Sequence, residues 1–257
     1  MDGAGLSVET RHNLNKAHGI LMVFAWLCFV PTAYLFVRIL RSERFGQKRL
    51  LGSQTWFQVH RALTVISMVC VGASLLCIAI SQGWKWRGPG SAGKFWTKIH
   101  TLLGVISSAL CFIQGIIALI RCKPNHRLRS LFNWTHRIIG IGSFLLAVTT
   151  ICIAAIHFLK IWYWPIAEFI LSLVPGAICL IMSVLYLKQQ PNVTIIRIEK
   201  KHGSDDSLNI DHSEHRKKGK FEEILRNSRT NLVFGSVGIF LVIAISLSVF
   251  IINGYQN

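Results

Sequence analysis

Residues Trp56–Ile80 read WFQVHRALTVISMVCVGASLLCIAI, an apolar run whose only basic side chains, His60 and Arg61, stand near its start. A helix rises about 1.5 Å per residue, so a run of this length crosses the hydrocarbon core of a bilayer, about 30 Å thick. A strand there would leave backbone N–H and C=O groups in lipid without partners, so the run is a helix. A histidine within it is costly, and usually serves a site, a pathway or a buried partner.

The same arrangement recurs on either side. His18, His60, His100 and His136 each open an apolar run, at separations of 42, 40 and 36 residues. Six spans follow: Ala17–Leu40, Trp56–Ile80, Lys98–Ile120, Leu131–Phe158, Trp162–Leu187 and Asn231–Ile252. The expected fold class is all-α, a polytopic membrane protein of six transmembrane helices around a four-helix core. Pro31 and Pro175 fall inside spans and predict kinks. Composition agrees, at 52% hydrophobic and 15% charged residues with a mean hydropathy of +0.47.

Successive spans alternate in direction, so His18 and His100 share one side of the membrane and His60 and His136 the other. Two axial nitrogens per pair is what a haem iron held between helices requires. The pattern therefore predicts two haems stacked across the bilayer, with these four histidines as axial ligands to the iron. Neither C-x-x-C nor C-x-x-C-H occurs, which excludes covalent haem attachment and a thioredoxin-like motif. The cysteines sit mostly inside spans (Cys28, Cys70, Cys77, Cys111, Cys152, Cys179) with Cys122 at an edge, and read as small packing residues.

Steps of three or four residues from each histidine follow one helix face. From His100 that face reads Gly104, Ser107, Cys111, Gly115; from His136, Gly140, Ser143, Ala147, Thr150, Ala154. From His60 it reads Thr64, Ser67, Val71, Ser74, and from His18, Met22, Ala25, Phe29. Small residues let membrane helices approach closely; they also leave room for a flat macrocycle beside its ligand. His12, His126, His202, His212 and His215 lie in polar segments and read as solvated. His157 ends the fourth span and reads as interfacial, with contact to an outer substrate as the alternative.

A net charge of +17 could point to nucleic acid, but its distribution points to membrane orientation instead. Arg38, Arg41, Arg44, Lys48 and Arg49 flank the first connection, Arg121, Lys123, Arg127 and Arg129 the third, and Lys200 through Arg229 the fifth. The positive-inside bias places those connections in the cytosol and both termini outside or in a lumen, in the plasma membrane or an endomembrane. No cleavable signal peptide is expected. The chain divides into a short extracytosolic segment (1–13), a transmembrane domain (14–190), a basic cytosolic loop (191–230), and the sixth helix with the C-terminus (231–257). The loop reads as largely disordered, with a short amphipathic helix over Phe221–Arg226 as the alternative. Two glycosylation patterns, at Asn133 and Asn192, would face the cytosol and stay unmodified.

Three stretches carry a resemblance: Lys16-Ala17-His18-Gly19-Ile20-Leu21-Met22 with Ala25-Trp26, Trp56-Phe57-Gln58-Val59-His60-Arg61, and Phe132-Asn133-Trp134-Thr135-His136. Together they resemble the cytochrome b561 transmembrane domain, most closely in the ferric-chelate reductase 1-like group, where it follows an extracellular DOMON domain. The resemblance covers about residues 14–190. It implies two b haems on His18, His60, His100 and His136, cytosolic ascorbate as donor, and ferric chelates or monodehydroascorbate as outer acceptors. Two departures stand out. No DOMON segment is seen, and the basic residues that relatives place just before the second-helix histidine are replaced by Trp56 and Gln58. Arg61, Arg137, Lys48 and Arg49 are the donor-side candidates to take their place.

The expected function is therefore transmembrane electron transfer by an oxidoreductase of the ferric-chelate or monodehydroascorbate reductase type. A non-catalytic haem-binding membrane adaptor is the first alternative. A histidine-lined metal transporter is the second, and Glu168 as the sole carboxylate inside the six spans argues against it. No nucleic-acid partner is expected, and a homodimer is left open.

Overall fold

The structure, a computed structural model, describes residues 5–120, 125–158, 165–188 and 212–254. Six helices among them are long and apolar enough to cross a membrane. The first span runs unbroken over Val8–Ser42. It comprises α1 (Val8–Val23), a π turn over Phe24–Phe29, α2 (Val30–Arg38) and a 3-10 turn over Leu40–Ser42. Ser7 caps α1, its hydroxyl accepting from the Thr10 N–H at 3.1 Å. The π turn has a local cause. Pro31 has no N–H to donate to the carbonyl four residues back. Just before it, the Val30 N–H reaches the Ala25 carbonyl, five residues back. The expected kink at Pro31 is thus taken up by a π-bulge.

Beyond the first span come α3 (Arg44–Gln47), a hairpin of β1 (Arg49–Leu50) and β2 (Ser53–Gln54), and α4 (Thr55–Ser81). The hairpin pairs Arg49 with Gln54 and Leu50 with Ser53. Its turn needs positive φ at both central residues, found at Leu51 (φ 48°) and Gly52 (φ 80°). Then follow α5 (Phe95–Leu119), α6 (Arg129–His157), α7 (Pro165–Lys188, with Pro175 inside it) and α8 (His212–Gly254).

The first span packs along α4, and α5 packs along α6, giving two antiparallel helix pairs joined through α4 and α5; α7 and α8 close the bundle against α6 and the first span. The π turn lies at the centre, with Ala25, Trp26, Leu27 and Cys28 all buried. Phe240, Leu247 and Ile251 of α8 are fully buried. Gly19 allows the close approach, since a Cβ there would stand 3.1 Å from Ile251 Cδ1. Outward-facing positions of the spans stay apolar, as at Val69, Ile138 and Leu180, which suits lipid contact.

At the other end of the first span the chain is fastened to α7 and α8. The Ser42 hydroxyl lies 2.8 Å from the Tyr186 hydroxyl, and Tyr34 lies 2.7 Å from Ser183. Phe234 meets the rings of Phe36 and Phe45 edge-on. Glu43, 1% exposed, sits 3.0 Å from Arg229 Nε. Burial pushes the Glu43 carboxyl above its ordinary pKa, with Arg229 and then Arg226 pulling it back down.

The observed helices fit the expected spans closely for α4, α5, α6 and α7. Two readings change. The helix that carries the first span begins at Val8, ahead of the apolar run from Ala17, because the polar residues before that run continue a helix already capped at Ser7. The stretch from His212 to Arg229, expected within a loop, is helix continuous with the sixth span, so the alternative of a short helix over Phe221–Arg226 is absorbed into α8. Residues 191–211, Asn192 and Cys122 lie outside the described residues. The other six cysteines are free, with no disulfide among the described residues.

Candidate cofactor-binding site

The small-residue faces point inward. Ser67, Val71 and Ser74 of α4, Ser107 of α5, and Ser143, Ala147 and Thr150 of α6 are all buried. The four histidines are half-buried at the edges of this interior. At Gly104 a Cβ would stand 3.5 Å from the Thr150 methyl, so the α5–α6 contact is close there.

Three of the histidine rings are held through Nδ1 by a backbone carbonyl on a neighbouring helix. His18 Nδ1 lies 3.1 Å from the Ser74 carbonyl, His60 Nδ1 lies 3.2 Å from the Ala33 carbonyl, and His100 Nδ1 lies 3.1 Å from the Thr150 carbonyl. A carbonyl only accepts, so each Nδ1 carries the proton and donates it. At His18 the Ser74 hydroxyl adds a second contact at 2.8 Å, while donating its own proton to the His18 carbonyl at 3.0 Å. In the neutral tautomer that this fastening favours, each ring carries its lone pair on Nε2. This is the form a metal takes, and the arrangement by which proteins orient ligating histidines. His136 is positioned differently: Phe132 stacks on its ring at 5.9 Å, and the Gln114 amide donates to its backbone carbonyl.

The partners define two levels. Ser74 lies fourteen residues beyond His60 on α4, and Thr150 lies fourteen residues beyond His136 on α6. Each of α4 and α6 thus carries its own histidine near one end and, about 20 Å away along the axis, the carbonyl partner of the histidine on the helix it packs against. At one level the His60 and His136 rings meet edge-on, with centroids 6.5 Å apart and planes 72° apart. A first-row metal bonded at about 2 Å to one nitrogen of each ring fills a gap of that size. The residues present therefore fit a haem between α4 and α6. No group of three His, Cys, Asp or Glu able to hold a bare metal ion occurs among the described residues.

The donor-side candidates fall in two places. Arg49 lines a cleft of about 390 Å³ with Gln47, Gly52, Ser53, Gln54, Trp56 and Phe57, and Lys48 is exposed beside it. Arg61 and Arg137, each following a histidine of the 6.5 Å pair, are exposed, and the Arg137 guanidinium lies 6.0 Å over the Trp134 ring. Arg41, read from the sequence only as a basic residue of the first connection, joins these candidates; its guanidinium sits 5.3 Å over Trp56 at this cleft, a cation–π contact across fourteen intervening residues that no spacing rule reveals. At the opposite level His157 stacks on Trp96 at 4.0 Å, and its neighbour Phe158 meets His100 edge-on at 5.0 Å.

Comparison with known proteins bears on this arrangement. The chain is 36% identical over 137 residues to ferric-chelate reductase 1 of Mus musculus, covering 52% of this chain and 21% of that protein. Its identity to ferric-chelate reductase 1 of Homo sapiens is 34% over 135 residues, again 52% of this chain and 21% of the relative. A cytochrome b561 and DOMON domain-containing protein of Arabidopsis thaliana is 25% identical over 149 residues, 58% of this chain and 33% of the relative. The chain thus spans about a fifth to a third of the length of these relatives. No solved structure matches it. The family model for eukaryotic cytochrome b561 matches residues 17–159, which include all four histidines, the cross-helix carbonyls and all of both helix pairs but the first turns of α1. With that match over more than half of its length, this integral, multi-pass membrane chain belongs to the eukaryotic cytochrome b561 family.

Proposed function

We propose that this protein carries electrons across a membrane through two b haems, from a cytosolic donor, ascorbate, to ferric chelates on the other side. Membership of the family implies haem b; the count of two and the assignment of His18 with His100 and His60 with His136 are our reading. The observation that carries it is the cross-helix fastening of His18, His60 and His100 through Nδ1, with the His60 and His136 rings meeting edge-on at 6.5 Å. Bound there, haem supplies reversible one-electron chemistry at an iron whose ligands do not change.

The chain's own residues do the rest. The carbonyls of Ser74, Ala33 and Thr150 fix tautomer and ring orientation, so little ligand reorganisation accompanies a change of charge. The buried serine, alanine and threonine faces keep side chains small beside the rings. On this reading both levels lie within the bilayer, which the apolar helix exteriors support. On the donor side, Arg49, Arg61 and Arg137 make a positive surface that draws an anion such as ascorbate. On the far side, the Trp96–His157 stack stands beside His100, where electrons leave. Ferric chelate is proposed as acceptor because the mammalian relatives are ferric-chelate reductases, and monodehydroascorbate is the second acceptor to test. The domain division given above, with both termini extracytosolic, belongs to the same reading.

Purified protein should show a low-spin b-type spectrum and two haems per chain by pyridine haemochrome analysis. In vesicles loaded with ascorbate, external ferric chelate should be reduced only by protein with both histidine pairs intact. Fewer than one haem per chain, or undiminished transfer by His60→Ala, would overturn the proposal. A haem-binding adaptor would show the spectrum without the transfer.

A further inference from the structure

The tip of the β1–β2 hairpin combines features that stability alone does not account for. Leu51 takes φ 48°, a left-handed conformation that a branched, bulky side chain rarely adopts. It is also 88% exposed, and Leu50 is 45% exposed. Glycine or asparagine would hold the same turn with less strain and without an apolar surface. Lys48 and Arg49, both exposed, lie directly beside the tip.

The position of the hairpin says what covers it. It joins the end of the first span at Ser42 to the start of α4 at Thr55, so it cannot travel far from the plane where the spans leave the membrane. It does not project away from that plane either. The Thr55 N–H and hydroxyl both donate to the Lys48 carbonyl, at 2.8 and 3.0 Å. The Gln58 amide donates to the carbonyls of Leu50 and Leu51, at 3.2 and 3.1 Å. These bonds fold the hairpin against the first turn of α4. An apolar tip flanked by cations, pinned at the level of the headgroups, matches an anionic bilayer surface: leucines for the acyl boundary, lysine and arginine for the headgroups.

We propose that Leu50 and Leu51 form an interfacial anchor that inserts into an anionic leaflet, with Lys48 and Arg49 binding its headgroups. Anchoring holds the hairpin, and through Gln58 the first turn of α4 two residues before His60, in one posture. The partner is the lipid surface, not a protein.

The test uses the full-length protein in nanodiscs of phosphatidylcholine alone or with phosphatidylserine, followed by hydrogen exchange of the segment 44–55. Exchange should slow by up to roughly thirtyfold when phosphatidylserine is present, the scale expected for two basic residues at about 1 kcal/mol each near an anionic surface. Leu51→Asn keeps the turn while removing the apolar tip, and Lys48→Gln with Arg49→Gln keeps the tip while removing the charge. Each should abolish most of that protection. A fluorophore on Leu51→Cys should in addition be quenched by lipids brominated near the headgroup. Equal exchange in both lipids, or no quenching, would overturn the anchor and turn the tip toward a water-soluble partner. Haem content and spectrum, read on the same samples, report on the electron-transfer proposal separately.

Discussion

Removing the His18 imidazole should cost the protein the same haem as removing that of His100, and His60 and His136 should behave as the other pair. Spectra of the four alanine variants check this: two signatures are expected, not four. If His18→Ala resembled His60→Ala, the assignment of levels would be wrong. Glycines give a second test at single positions. A Cβ at Gly46 would stand 1.8 Å from the Leu40 carbonyl oxygen, a backbone atom that cannot step aside. Gly46→Ala should therefore destabilise the protein by about 2 kcal/mol or more, as overpacking does. At Gly115 the neighbour is the end of Met68, at 2.5 Å, and a flexible thioether can swing away. Thermal unfolding of both variants should show Gly46→Ala to be the worse. The four histidines were legible in the sequence because side chains carry the signal. Their partners at Ala33 and Thr150 were not, because a backbone carbonyl is supplied by every residue type.

Among the elements, spans were readable from apolar length, and their ends were not. Lipid demands a fixed apolar run but places no limit on helix that continues into water. That is why α1 starts at Val8 and α8 starts before Glu223, where polar residues read as loop. The hairpin between the first two spans escaped notice too, since β1 and β2 have two residues each and no alternation to detect. The fastening of the first span to α8 yields a pH-dependent prediction. Arg229→Leu leaves Glu43 buried without its ion-pair partner, which costs about 3 kcal/mol when the carboxyl is charged. Because burial already raises the Glu43 pKa, the folded state holds this proton more tightly than the unfolded state does. Any stability it contributes is full below the ordinary carboxylate pKa and is lost as pH rises through the raised value. The penalty of Arg229→Leu should therefore shrink on acidification, as denaturation at two pH values would show.

At the scale of the whole molecule, the charge pattern predicts a direction. Arg49, Arg61 and Arg137 stand at the end of the His60–His136 level, so an anionic donor should reduce the protein from that side. Neutralising Arg61 or Arg137 should slow reduction by ascorbate several-fold more than reduction by an uncharged dye, and added salt should mimic the substitution. Equal slowing of both reductants would reassign these arginines to anchoring helix ends. A tag in the segment 191–230 should be reached only from the cytosol in intact cells; labelling from outside would reverse the electron path.

The equal fourteen-residue intervals on α4 and α6 make each helix a ruler with a phase as well as a length. Fourteen residues are close to four turns, so a histidine and the partner it spaces return to nearly the same azimuth. One residue inserted between Val71 and Gly72 would turn Ser74 by about 100° relative to His60. A single level should then go out of register while the other keeps its ligands, giving one haem per chain. Four inserted residues would restore the azimuth and lengthen the gap by about 6 Å. That variant should recover both haems and yet pass electrons between them more slowly, separating the part of the spacing that builds the site from the part that sets its speed.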